Sequence, residues 1–287
     1  YLEAKTEKGE KLLAALTARG LTPCAFKSGP DYIDPMFHSR VIGAKSANLD
    51  LHFFSENTLR FLLAKNAAGC DVSVIEGAMG FYDGAGLTTW KTSAYELALV
   101  TKTPVVLVVN ARGAALSVLA VIEGFLRFRP ESGIRGVILN QCTAMTYASL
   151  SAAIEERFGI RCFGFLPRLD ECVLESRHLG LVTAGEIRDL REKMQTLAAQ
   201  AEKTLGIDAL LALAHEAEPL DYTPAVLPKK EKIRLAVARD NAFCFYYEDS
   251  LDAVREMGGE LVPFSPITDG ALPENIDGLY LGGGDPE

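Results

Sequence analysis

The sequence predicts an α/β protein built on a doubly wound, mostly parallel sheet. Short runs that are apolar throughout, such as PVVLVVNA (104–111), are typical of strands buried on both faces. A stretch with helical periodicity separates each such run from the next, as the crossovers between parallel strands require. The two observations together predict a parallel sheet that is covered by helices on both sides.

The predicted elements alternate along the first 205 residues. Gly20 closes the first predicted helix, as expected for a helix end. Helices are predicted over 10–19, 56–68, 93–101, 114–128, 148–158 and 186–205, and strands over 22–26, 71–76, 104–111, 134–140 and 161–166.

A change of composition marks a domain boundary. Residues 217–232, AEPLDYTPAVLPKKEK, contain three prolines and a charge cluster, which is typical of an exposed linker. The α/β pattern then restarts, with strands predicted over 232–240, 259–266 and 277–284 and a helix over 249–257. We therefore predict a first domain over 1–216, a linker over 217–232, and the truncated start of a second α/β domain over 233–287.

Composition excludes several classes of protein. The chain is 48% apolar and 23% charged, which is ordinary for a globular protein, and its net charge of −9 argues against a nucleic-acid partner. Its longest apolar run is too short to span a bilayer, and its charged first residues do not resemble a secretory signal. The six cysteines form no C-x-x-C pair, so we expect reduced thiols, no membrane partner and a cytoplasmic location.

Ligands of open parallel sheets bind beyond the carboxyl ends of the strands, so polar residues at strand ends are candidates for function. The sequence offers, in order, Lys27, Asp31 and Asp34 after the first strand, Glu76 and Asp83 after the second, Asn110 and Arg112 after the third, Asn140 after the fourth, and Pro167 and Arg168 after the fifth.

Two of these acids suit a magnesium site. Glu76 ends an apolar strand, the position of an acid that holds Mg²⁺ beside nucleotide phosphates, although an N-cap or turn acid is the alternative explanation. Asp31 follows a neighbouring strand, and two converging carboxylates repel each other unless a cation lies between them. No intact G-x-x-x-x-G-K-[ST] phosphate loop is present, but Lys5 and Thr6 stand where its Lys-Thr would, unless they form only a charged terminus.

Longer motifs make the chain resemble the cobyrinate a,c-diamide synthase family. They occur in the order of that family over nearly the whole chain: FKSGPDYIDPMFH (26–38), NLDL (48–51), VIEGAMGFYDG (74–84), GVILN (136–140), GFLPR (164–168), ESRHLGLV (175–182), LAVARDNAFCFYYED (235–249) and DGLYLGGGDPE (277–287). Members join an amidoligase domain, related to dethiobiotin synthetase and the P-loop NTPases, to a class I glutamine amidotransferase domain.

The resemblance implies a ligase that uses ATP and Mg²⁺. A peripheral carboxylate of a corrinoid is phosphorylated, and ammonia from glutamine displaces the phosphate to give an amide, at the a and c side chains. In this mechanism Lys27 faces phosphate and Asp31 joins Glu76 at the metal, while Tyr32, Asp34 and Asp83 border the carboxylate being activated. The expected partners are a small-molecule corrinoid and glutamine, and a homodimer stays open.

The resemblance also suggests roles for further residues. Asn140 and Pro167 would border the nucleotide, and Arg168, Arg177 and His178 would meet the carboxylates of the substrate. From sequence alone, a DG turn for Asp83, a strand-end cap for Asn140 and a structural histidine for His178 stay open.

The chain departs from the family pattern in three places. Ala4 replaces the glycine before Lys-Thr, so the glycine-rich loop and its strand are expected upstream of Tyr1. Asp285 replaces a tyrosine, and the nucleophilic Cys and its His are expected beyond residue 287. The chain as given is therefore expected not to hydrolyse glutamine. Open alternatives are hydrogenobyrinate or nickel-sirohydrochlorin as substrate, and a degenerate nucleotide- or tetrapyrrole-binding paralogue. A partition-type ATPase fits the sheet but does not explain the GPDYID and RHLGL stretches.

Overall fold

The structure, a computed structural model, describes residues 7–169, 184–229 and 232–284. Within these residues helices and strands alternate, as the sequence predicts. In chain order the elements are α1 (Glu7–Ala18), β1 (Pro23–Ser28), α2 (Ile33–Phe37), a π-helical turn (His38–Ile42), β2 (Lys45–Leu49), α3 (Glu56–Ala67), β3 (Val72–Glu76), α4 (Ala94–Thr101), β4 (Val105–Asn110), α5 (Ser117–Phe128), β5 (Ile134–Asn140), α6 (Ala144–Phe158), β6 (Arg161–Leu166), α7 (Ala184–Thr204), α8 (Ile207–His215), β7 (Arg234–Ala238), α9 (Glu248–Glu256), β8 (Glu260–Phe264) and β9 (Gly278–Tyr280).

The strands pair in parallel throughout the described elements. They form three groups of three, in the orders β2-β1-β3, β4-β5-β6 and β8-β7-β9. In the first group Lys27 lies opposite both Asn48 and Glu76. The register therefore brings the polar ends of three strands to one edge, and the α/β prediction with parallel strands is confirmed.

Helices cover both faces of the first two groups of strands. In β5, Val137 and Leu139 pack in the core against α5 and α6, whereas Ile138 packs on the opposite face against a core that includes α1, α7 and α8. This alternation explains why the strands are apolar along their whole length. The predicted doubly wound arrangement is confirmed.

Side-chain caps define where several helices begin. Ser55, Ser93 and Thr143 precede α3, α4 and α6, and each side-chain oxygen accepts a hydrogen bond from the backbone N–H three residues later. Such caps satisfy N–H groups that a helix leaves unpaired at its start. Since Thr143 is the cap, α6 begins at Ala144, four residues before its predicted start.

Three elements were not predicted: α2 with its π-helical turn, β2, and α8. The α2 helix with its turn and the β2 strand lie between β1 and α3, at the edge of the sheet that carries Lys27. The α8 helix follows α7 after only two residues, Leu205 and Gly206, and the sequence predicts no helix there.

An apolar cavity separates β3 from β4. Within the described part of the chain, these two strands are not hydrogen-bonded to each other. The cavity between them measures about 590 Å³ and is lined mainly by apolar side chains of β3, β4, α1, α4 and α8. We call it the interstrand cavity.

The last described part, residues 232–284, packs against the first through α9 and α3. Asn66 donates hydrogen bonds of 3.0 Å to both carboxylate oxygens of Asp249, and Lys65 pairs with Glu256 at 2.8 Å. The described linker residues, 217–229, hold neither helix nor strand. No helix in the described ranges is both long and apolar enough to cross a membrane.

Candidate functional site

Three carboxylates converge on one lysine where β1 and β3 end. The Lys27 Nζ atom lies 2.5 Å from Asp34 Oδ2, 3.8 Å from Asp31 Oδ2 and 3.7 Å from Glu76 Oε1. It also donates a long hydrogen bond of 3.4 Å to the Gly77 carbonyl. We call Lys27, Asp31, Asp34 and Glu76 the carboxylate cluster. The sequence-based prediction that Asp31 and Glu76 lie together agrees with this geometry.

The carboxylate cluster is largely removed from water. The side chain of Lys27 is 2% exposed, that of Asp34 6% and that of Glu76 12%, while Asp31 is 32% exposed. Burial lowers the pKa of Lys27, but the charges of Glu76, Asp34 and Asp31 outweigh it, so this pKa is raised. Burial and the nearby Asp34 raise the pKa of Asp31, against the effect of Lys27. Three acids thus share one buried ammonium.

The segment that joins β1 to the first residues of α2 fixes the direction of the Asp31 and Asp34 side chains. Asp31 Oδ1 accepts hydrogen bonds from the backbone N–H groups of Ile33, at 3.0 Å, and Asp34, at 3.2 Å. Gly29 adopts a positive φ of 75°, which favours glycine. Asn48, at the end of β2, donates through Nδ2 to the carbonyls of Gly29 and Asp31. We call residues 28–34 the site loop.

His38 is a member of this site that the sequence analysis missed. It is fully buried, and its Nε2 atom lies 3.4 Å from Glu76 Oε2, while Nδ1 lies 3.2 Å from Ser46 Oγ. Glu76 Oε2 is itself buried without a hydrogen-bond partner among the described residues. A histidine inside the apolar stretch PMFHSRVI was the available signal.

The start of α1 also approaches Glu76. A Cβ atom added at Gly9 would lie 3.0 Å from the Glu76 carboxyl carbon, so a larger residue there requires this side chain to shift. The N-terminal end of a helix attracts anions because its backbone N–H groups are unpaired. Since Gly9 lies in the first turn of α1, the anion-attracting end of this helix lies beside the carboxylate cluster.

The donor set of the cluster fits magnesium in part. In the described ranges, no group of three or more His, Cys, Asp and Glu side chains is arranged to hold a metal ion alone. Mg²⁺, however, commonly takes only one or two protein carboxylates and completes its shell with phosphate and water. Asp31 and Glu76 would supply those two, and Glu76 Oε2, which is buried and accepts no hydrogen bond among the described residues, is the oxygen best suited to a cation.

The other predicted site residues lie elsewhere along the strand ends. Asp83 is exposed in the loop after β3, where Oδ2 accepts from the Gly80 N–H, and in the described chain it is not among the side chains within 4 Å of Lys27 Nζ. Asn140 ends β5 opposite Leu166, so it lies near Pro167 and the exposed Arg168 at the end of the second group of strands.

Two pairs of predicted site residues fall outside the described residues: Lys5 with Thr6, and Arg177 with His178.

Tyr32 is described, and its ring stacks on Phe245 and Tyr247. Five of the six cysteines are described, and among the described residues Cys24, Cys70, Cys142 and Cys162 form no disulfide.

Comparison with known proteins identifies relatives that are longer than this chain. The chain is 42% identical over 278 residues to a cobyrinate a,c-diamide synthase of Clostridium acetobutylicum, which covers 96% of this chain and 62% of the relative. It is 43% identical over 265 residues to the protein of the same name in Caldanaerobacter subterraneus subsp. tengcongensis, covering 91% of this chain and 58% of the relative. The protein of the same name in Priestia megaterium is 39% identical over 281 residues, which cover 96% of this chain and 60% of the relative.

The chain thus spans about three fifths of the length of these curated relatives. A comparison with models of protein families finds no match. Among solved structures, chloroplast FtsY from Physcomitrella patens matches with a TM-score of 0.44 and 11% identity, covering 67% of this chain and 62% of that one. The relatives extend over nearly the whole chain, and over that length it is similar to proteins of the cobyrinate a,c-diamide synthase family.

Proposed function

We propose that the protein to which this chain belongs amidates the a and c acetate carboxylates of cobyrinate, in corrinoid biosynthesis. ATP and Mg²⁺ are the proposed cofactors, and glutamine is the proposed source of ammonia. The observation that carries the proposal is the convergence of Asp31, Asp34 and Glu76 on the buried Lys27. The names of the relatives support the choice of substrate.

The proposed chemistry needs positive charge beside a phosphoryl group. A carboxylate is a poor electrophile, and phosphorylation gives it a leaving group. Magnesium held by Asp31 and Glu76 would offset the charge that builds on the transferring phosphoryl. Lys27 lies between the same two acids and is the one cation among the four residues of the carboxylate cluster. It would face the phosphate, while Asp34, Tyr32 and Asp83 border the substrate carboxylate.

The nucleotide would extend from this cluster along neighbouring strand ends. We propose that Asn140 and Pro167 border its base and that Lys5 and Thr6 meet its phosphates. Arg168, Arg177 and His178 are proposed to bind the acidic side chains of the macrocycle. We further propose that a strand from outside these 287 residues fills the interstrand cavity and carries the glycine-rich loop that completes the phosphate site.

The test uses the full-length protein with ATP, Mg²⁺, ammonia and candidate macrocycles. Mass spectrometry should detect one or two amides gained by cobyrinate; amidation of hydrogenobyrinate or nickel-sirohydrochlorin instead would change the substrate, and no amidation of any of them would overturn the ligase.

Asp31→Asn should abolish ammonia-dependent amidation, because it removes one of two proposed magnesium ligands. Asp208→Asn is the matched control, since Asp208 is exposed on α8 and pairs with Arg19 at the surface. Unchanged turnover in Asp31→Asn would rule out the metal role, whatever the relatives are named.

A further inference from the structure

We infer that Phe245 and Tyr247 position the acids of the carboxylate cluster by holding the site loop through their contacts with Tyr32. The two rings belong to the part of the chain that follows the linker. They contact Tyr32, which stands between Asp31 and Asp34 in sequence. The geometry points to a positioning role that neither the family resemblance nor the site chemistry assigns. Only the importance of Asp31 and Asp34 for activity rests on the proposed function.

The contact is aromatic stacking. The ring centroids of Tyr32 and Phe245 are 5.2 Å apart with planes at 8°, and those of Tyr32 and Tyr247 are 5.1 Å apart with planes at 27°. Near-parallel rings at these separations attract each other beyond the effect of buried area. We call these three residues the aromatic contact.

Both outer rings are held by their own surroundings. The Phe245 N–H donates a 2.9 Å hydrogen bond to the Gly283 carbonyl, just beyond β9. Tyr247 directly precedes α9, and its hydroxyl donates to Asp50 Oδ2 at 2.9 Å. Asp50 is 1% exposed and follows β2, so Tyr247 satisfies a buried carboxylate at the edge of the first sheet.

On its inner side the site loop is held by polar contacts and by Ile33, which packs against the core. Lys27 attracts Asp31 and Asp34, and Asn48 binds the carbonyls of Gly29 and Asp31. Tyr32 adds a further contact that fixes the loop, through its stacking on Phe245 and Tyr247. Because Tyr32 adjoins Asp31, movement of this ring would turn the Asp31 carboxylate away from Lys27.

Hydrogen exchange of the 287-residue chain tests this inference without substrate. Phe245→Leu and Tyr247→Leu keep apolar volume but remove the stacking, so amide exchange of a peptide covering the site loop should rise about tenfold. Tyr247→Phe keeps the ring, so amide exchange of the site loop in this variant should be closer to the wild-type rate than in Tyr247→Leu. Exchange in β4 and β5 reports whether each variant is folded.

Tyr246→Leu is the comparison variant from the same segment, because Tyr246 lies between the two rings in sequence but packs on Tyr280, and its hydroxyl donates to the Ala238 carbonyl and accepts from the Gly282 N–H. Its site loop should exchange like wild type. The inference is overturned if the Phe245 and Tyr247 variants leave site-loop exchange unchanged, or if Tyr246→Leu raises it equally.

A kinetic measurement on the full-length protein extends the test. In the two leucine variants, the Mg²⁺ concentration for half-maximal ammonia-dependent amidation should rise severalfold, while Tyr246→Leu matches wild type. A rise equal in all three variants would contradict the positioning role. If wild type amidates nothing, the proposed function fails, and the exchange result still decides whether the rings hold the loop.

Discussion

Lys27 is the residue on which the candidate site depends. Burying a carboxylate is costly unless a positive charge or hydrogen bonds compensate it, and this site buries parts of three. The Lys27 ammonium lies within 4 Å of each of them. The same contacts raise its pKa despite burial, so it stays protonated at neutral pH.

Replacing Lys27 by methionine should destabilise the folded protein. The change keeps the apolar stem but leaves three neighbouring acids without their shared cation, which should lower the free energy of unfolding by about 3 kcal/mol at pH 7. Chemical denaturation measures this loss. Adding Asp34→Asn should recover part of it, because the acid nearest to Lys27 is then neutral. A loss below about 1 kcal/mol in Lys27→Met would contradict this account.

Residues at strand ends could be predicted, whereas residues placed by irregular structure could not. Lys27 and Glu76 end apolar strands that a sequence pattern reveals, and parallel pairing brings such ends together. His38 reaches Glu76 only because a π-helical turn, His38–Ile42, follows α2. No periodicity in the sequence signals that turn, so a role for His38 could not be predicted from the sequence.

At the scale of elements, short or interrupted segments escaped prediction. β2 has five residues, KSANL, of which Lys45 is exposed and Ser46 half-buried, so it lacks a continuous apolar run. Pro35 lies within α2, and proline usually argues against a helix interior. α8 is different, because the run IDALLALAH after Gly206 is apolar and long enough that helical periodicity was available to predict it.

The contact between α3 and α9 should depend on pH. Burial raises the pKa of Asp249, against the hydrogen bond from Asn66 and the charge of Lys65. A raised pKa means that folding favours the protonated acid, so wild type gains stability relative to a non-titrating variant as pH falls from neutral through that pKa. Asp249→Asn still accepts a hydrogen bond from Asn66 and removes the half-buried charge.

We therefore expect Asp249→Asn to be at least as stable as wild type at pH 7 and to lose this advantage as the solution is acidified. Urea denaturation of both proteins at pH 7 and pH 5 gives the difference in unfolding free energy. Asp252→Asn, on the same helix, is a control for removing one acid. An advantage that grows on acidification would reverse the sign and contradict the raised pKa.

At the scale of the whole molecule, the sheet is divided. The sequence predicts a doubly wound parallel sheet, and helices do cover both faces of β2-β1-β3 and of β4-β5-β6. The interstrand cavity between β3 and β4 lies among these helices. Sequence patterns identify strands but contain no signal for which two strands lie side by side, so this division could not be predicted.

The interstrand cavity has the character of a site for one more parallel strand. Within the described residues, β3 and β4 each have one edge paired, to β1 and β5, and the other edge directed to the cavity. Unpaired strand edges offer backbone donors and acceptors, and the helices above and below contribute apolar side chains that suit a buried strand. A strand inserted here would join the two groups of three into one seven-stranded sheet.

Hydrogen exchange of two lengths of the protein tests this proposal. In a longer form that includes the segment preceding Tyr1, amides of Val72–Glu76 and Val105–Asn110 that point into the cavity should exchange at least about tenfold more slowly than in the 287-residue chain, because they gain partners. The central strands β1 and β5 are paired on both sides already, so they serve as internal controls and should change least. Equal exchange of β3 and β4 in both lengths, or new protection confined to the outer edges β2 and β6, would contradict insertion between the two groups.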